Sequence, residues 1–128
     1  MTRYVPALTG LESDKLYDLE ELVDRCGVLK INLLGPAGEK ICLSFDSYLA
    51  YRKLDEGDSL MFLAEMSRTD FPRRSFYTAE DSEFLDWFAK QSYGVRKETF
   101  LHHSVVVTVD DVIDVISIEL PNVETQQH

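Results

Sequence analysis

Two short runs of strict apolar–polar alternation constrain the fold of this chain more than any other feature. Leu29, Ile31 and Leu33 alternate with Lys30 and Asn32, and Ile41, Leu43 and Phe45 alternate with Cys42 and Ser44. A period of two sends every second side chain to the same face of an extended backbone, so each run reads as a strand with one face buried. Between them stands Gly35-Pro36-Ala37-Gly38, in which glycine supplies positive φ and proline pre-sets a turn. A β-hairpin is predicted. A sheet with one apolar face must bury it against a second layer, which the rest of the chain has to provide.

Helical spacing nominates two covering elements. Residues 13–26 place Leu16, Leu19, Leu22, Val23 and Cys26 opposite Asp14, Asp18 and Glu21, with Ser13 as N-cap and Gly27 as stop. Residues 81–91 carry Phe84, Trp87, Phe88 and Gln91 on one face, with Thr78 or Asp81 to cap the helix and Gly94 to end it. Trp87 and Phe88 are expected in the core. Further extended runs cover residues 48–54, 60–65, 76–77, 104–109 and 112–118, the last two joined by Asp110-Asp111. Residues 48–54 and 60–65 also admit a helix. Pro121 is expected to stop the sheet. The fold class predicted is α+β: one domain over residues 1–121, an antiparallel sheet of five or six strands against two helices, and a disordered polar tail over residues 122–128.

Charge narrows the function. The chain has 128 residues, with 23 Asp and Glu against 13 Lys and Arg, a net charge of −10. Such a field repels nucleic acid and anionic membrane and draws in cationic partners. No apolar run is long enough for a membrane span or a signal segment, so a cytoplasmic protein is expected, with Cys26 and Cys42 as buried thiols and no disulfide.

Motifs that would mark an enzyme are missing. The stretch from Gly35 to Lys40 lacks the G-x-x-x-x-G-K-[ST] spacing of a phosphate loop, and a strand follows where a helix should begin. His102 and His103 are adjacent, so on a strand their rings point to opposite faces and cannot share a metal. There is no G-x-S-x-G elbow. Asp55-Glu56-Gly57-Asp58 lacks the ligand spacing of a calcium loop. The expectation is a binding protein with no catalytic residues, no cofactor and no metal. Its contact residues are expected among the carboxylates Asp14, Asp18 and Glu21 of the first helix and the turn carboxylates Asp55, Glu56, Asp58, Asp110 and Asp111. Tyr48 or Tyr51 would add an apolar anchor.

The run from Phe45 to Asp58, the segment Asp81-Ser82-Glu83-Phe84-Leu85-Asp86-Trp87-Phe88, and His102-His103-Ser104 followed by Ile113-Asp114-Val115-Ile116-Ser117 resemble bacterial immunity proteins. These are the antidotes to polymorphic toxins, including those of contact-dependent growth inhibition, and the resemblance spans roughly residues 28–118. It implies a cytoplasmic single-domain protein that binds the C-terminal domain of a toxin, often a basic nuclease, and blocks its active site or a neighbouring surface. The family has no shared catalytic motif to carry over. Two other classes stay open: an acidic DNA mimic or regulator that occupies a basic surface, and a small enzyme whose site converges from distant positions.

Overall fold

The computed structural model describes residues 2–6, 16–55, 75–93 and 100–126. Among these the chain forms, in order, β1 (Arg3–Pro6), β2 (Asp18–Arg25), β3 (Val28–Leu34), β4 (Lys40–Phe45), β5 (Tyr48–Asp55), β6 (Phe76–Glu80), the helix α1 (Glu83–Gln91), β7 (His102–Val107), β8 (Asp111–Ser117) and β9 (Asn122–Gln126). The strands make two antiparallel sheets, one ordered β1-β6-β7-β8-β5 and the other β2-β3-β4-β9. The expected single sheet is thus two, and of the two expected helices the described residues hold one.

The hairpin read from the alternation is β3–β4, with Leu29 opposite Phe45 and Leu33 opposite Ile41. Its loop closes through Gly35 N–H on the Glu39 carbonyl at 2.7 Å, and Gly38 takes φ +86°, a conformation that costs glycine little.

The segment expected as the first helix is instead a strand over Asp18–Arg25. Leu19 and Leu22 both pack on the core although they are three residues apart, because a β-bulge between Leu19 and Glu21 inserts an extra residue and resets the alternation. A bulged strand thereby reproduces the i, i+3 spacing of a helix. Gly27 belongs to a two-residue hairpin turn: Cys26 and Gly27 have φ of 54° and 80°, and Arg25 faces Val28 across it, as a type I′ turn requires, so Cys26, expected as a buried thiol, is exposed at the turn. Ser13, Asp14, residues 60–65 and Gly94 lie outside the described residues.

The two sheets share a ribbon. β4 runs into β5 through Asp46-Ser47, while β8 runs into β9 through residues 118–121, so a pair of strands bends from one sheet into the other, as at the corners of orthogonally packed sheets. Ser47 ties the corner: its carbonyl accepts the Ile118 N–H at 3.1 Å and its hydroxyl accepts the Glu119 N–H at 2.9 Å. Residues 122–126, expected as a polar tail, therefore pair with β4, placing Glu124 opposite Cys42 and Val123 opposite Leu43. Pro121 precedes this strand and does not end the sheet.

The main core fills the space between the sheets, with Leu29, Ile31, Leu33, Leu43 and Phe45 meeting Phe76, Val106, Ile113 and Val115. The far face of the five-stranded sheet is buried as well, through Tyr77, Val105, Val107 and Val112. Hence β7 and β8 are apolar on both sides, which explains their nearly unbroken runs of Val and Ile. Helix α1 lies on that far face, with Phe84 buried and edge-to-face on His103. Its cap is Ser82, whose hydroxyl accepts the Leu85 N–H at 3.0 Å; Thr78 sits inside β6 and Asp81 in a left-handed bend at φ 52°. Trp87 is 51% exposed and does not join the core.

Candidate functional site

Asp114 stands in the middle of β8 between Ile113 and Val115 and is 4% exposed. A carboxylate so placed is costly unless bonded and compensated. Its neighbours on the same face of the sheet do both. His103 Nε2 lies 2.7 Å from Oδ1, and Arg52 Nε donates to Oδ2 at 2.9 Å from the adjoining strand, where Arg52 pairs with Asp114 in register. Burial pushes the Asp114 carboxyl up, and the bonds and charges of His103 and Arg52 outweigh it, holding the group below its ordinary value.

The network continues into the helix. His103, 2% exposed, meets the Ser82 hydroxyl through Nδ1 at 2.6 Å. Ser82 Oγ accepts the Leu85 N–H and meets Nδ1, and Nε2 meets Asp114, so the contacts run in unbroken succession from the helix amide to the buried carboxylate. Each polar atom is satisfied, and the N-terminus of α1 is tied to the centre of the sheet.

Serine, histidine and aspartate in hydrogen-bonded succession is the order of a hydrolase relay, but the surroundings differ. A nucleophilic hydroxyl must reach substrate beside an oxyanion site. Ser82 is 4% exposed, and its oxygen already accepts the Leu85 amide as the helix cap. The neighbouring Glu83 amide is taken by Thr2 Oγ1 at 3.0 Å. The arrangement holds an element in place.

Beside the relay a cleft of about 210 Å³ opens between β5 and α1, lined by Ala50, Tyr51, Arg52, Phe84 and Trp87. The Arg52 guanidinium lies 4.1 Å from the centre of the Phe84 ring, and Trp87 stacks on Phe84 with centroids 5.6 Å apart and planes 18° from parallel. A larger hollow of about 460 Å³ crosses the outer face of the four-stranded sheet, where Lys30, Asn32, Cys42 and Glu124 meet. Burial pushes the Cys42 thiol up, which makes it a poor nucleophile. Among the described residues no three His, Cys, Asp or Glu side chains gather as metal ligands, and no helix is long and apolar enough to cross a membrane.

The residues expected to bind a partner fall in separate places. Asp18 and Glu21 are exposed on β2, and Glu21 accepts a bond from Asn32 at 3.3 Å. Asp55 and Asp111 stand opposite each other at the end of the β5–β8 pair, with Asp110 in the adjoining turn and Lys53 on Asp111 at 3.1 Å. Tyr48 and Tyr51 are half-buried against the core, and both hydroxyls reach Asp24 on β2. Asp14, Glu56 and Asp58 are outside the described residues.

Arg52, Ser82, His103 and Asp114, of which the sequence motifs raised only His103 and then as a metal ligand, form the best-organised polar group among the described residues. One signal pointed to them. A charged residue alone inside Val112-Ile113-Asp114-Val115-Ile116 needs a buried partner if that strand is apolar on both sides. No family model, curated protein or solved structure matches the chain.

Proposed function

We propose that this protein is a binding protein of the immunity type, which neutralises a basic toxin domain by covering part of its surface. The observation that carries this reading is where the carboxylates lie. Among the described residues the one buried carboxylate, Asp114, is bound to His103 and Arg52. Asp18, Glu83, Asp86, Asp110, Glu119 and Glu124 are exposed, and among the described residues none of them forms an ion pair with Lys or Arg. Uncompensated surface charge of one sign weakens a compact fold by self-repulsion, and it raises the encounter rate with a partner of opposite sign. The resemblance in the sequence supplies the class of partner, and the enclosed Ser82 supports inhibition by contact over catalysis.

The test is to produce the protein together with the toxin C-terminal domain encoded beside its gene. Cells that grow normally only when both are made, and a complex that elutes as one species, are the expected results. Growth arrest despite abundant folded protein overturns the reading.

A further inference from the structure

We infer that the partner docks on the solvent face of α1 and inserts one apolar side chain into the cleft between Trp87 and Arg52. The inference rests on the reading of the protein as a binder of a basic protein, and it names the surface.

Trp87 is the single tryptophan of the chain. It lies on a helix with an apolar side available, yet it is 51% exposed, while Phe84 beneath it is 6% exposed. Trp and Arg are the residue types that most often dominate binding energy, when they border a pocket that a partner can dry out. Here both border the same cleft.

Its walls are held before any partner arrives. Arg52 is fixed by Asp114 and by the face of Phe84, Phe84 rests on His103, and His103 is bonded to Ser82 and Asp114. The buried relay thus acts as the support of the cleft, and a preformed site spares the entropy of ordering these side chains on binding.

Size and charge select the occupant. At about 210 Å³ the cleft is smaller than the roughly 300–1,000 Å³ typical of small-molecule sites, and it suits one inserted side chain. Glu83, Asp86, Trp87 and Lys90 succeed one another at i, i+3, i+4 and i+7, which places them on one exposed ridge of α1. Asp81 precedes them, also exposed. Lys90 is the one cation on α1, and the charge of Arg52 is matched by Asp114. The ridge that carries Trp87 along the cleft therefore holds two carboxylates against one ammonium, and the partner that fits is a protein surface with an apolar residue flanked by Lys and Arg.

The experiment exploits the lone tryptophan. Protein labelled with 5-fluorotryptophan gives one fluorine resonance, which is followed while the toxin domain encoded beside the gene is added, with calorimetry in parallel at low salt. The resonance should shift on saturation. Trp87→Ala should weaken binding at least about thirty-fold, and the pair Glu83→Lys and Asp86→Lys should slow association about ten-fold or more and flatten its salt dependence. Because Trp87 also stacks on Phe84, the resonance of the unsubstituted chain reads the contact without any mutation. Calorimetric binding with an unmoved resonance, and with affinity unchanged in the charge-reversed variant, overturns this surface while leaving the binding function intact. No binding of the unsubstituted protein at low salt overturns both.

Discussion

Asp114 shows how much one residue can demand of its neighbours. Its carboxylate is stabilised only because Arg52 and His103 reach it from two flanking strands, and removing one partner of a buried ion pair typically costs about 3–5 kcal/mol. Asp114→Asn should fall near the lower end of that range, since Arg52 is half-exposed and can be rehydrated; thermal melts of both proteins at pH 7 measure it. The sign of the pH effect follows from the lowered folded value. The unfolded carboxyl, with a pKa of about 3.9, binds its proton more tightly than the folded one, so the stabilisation is complete above about pH 4–5 and is lost as pH falls through the folded value. The acid limb of the melting temperature against pH should therefore be shallower in Asp114→Asn. Ser104 is the opposite case, a buried hydroxyl with no hydrogen-bond partner among the described residues. Ser104→Ala should leave stability unchanged or raise it by up to about 1 kcal/mol, because no bond is lost and a desolvated group is removed. A fall of 2 kcal/mol would show that the hydroxyl is bonded.

Among the elements, β2 and β9 depart furthest from what their residues suggest in isolation. In β2 the bulge after Leu19 turns a strand into a helical-looking pattern, and the turn that follows places Cys26, with its Cβ, at φ 54°. Asn tolerates that conformation better and is favoured before Gly in such turns. Cys26→Asn is expected to raise stability by about 0.5–1 kcal/mol, and Gly27→Ala, at φ 80°, to lower it by at least as much; chemical denaturation of the two variants checks both. In β9 polar composition conceals a strand. Five register pairs join it to β4, and at roughly 0.2–1 kcal/mol each they predict that deleting residues 122–128 costs on the order of 1–5 kcal/mol. An unchanged melting temperature would mean that the segment contributes nothing to the sheet. The β3–β4 hairpin and α1 were legible because period two with a Gly-Pro turn, and helical spacing over residues 83–91, are each written in consecutive residues. The cap, expected at Thr78 or Asp81, is Ser82, for Thr78 lies within β6 and Asp81, a competent cap by type, is set in a left-handed bend.

For the whole molecule, the net charge of −10 makes a prediction that needs no partner. Self-repulsion among exposed carboxylates should be relieved by salt, so the melting temperature should rise between about 20 and 200 mM sodium chloride, as the Debye length shortens to below about 10 Å. With the toxin domain present the dependence should reverse, affinity falling as salt rises from about 50 to 500 mM, because the same screening weakens attraction between unlike surfaces. Affinity flat across that range would remove charge from the mechanism. By itself the sequence determined the acidic character, the central hairpin, the helix over residues 83–91 and the paired strands around Asp110-Asp111, because each rests on composition or on a local period. Tertiary structure alone decided that the nine strands of the described residues divide into two sheets sharing a bent ribbon, that residues 18–25 extend with a bulge, and that Arg52, Ser82, His103 and Asp114 converge behind an exposed Trp87. Those outcomes depend on which strand edges meet and which faces are covered on both sides, and such long-range pairings leave no trace in the spacing of neighbouring residues.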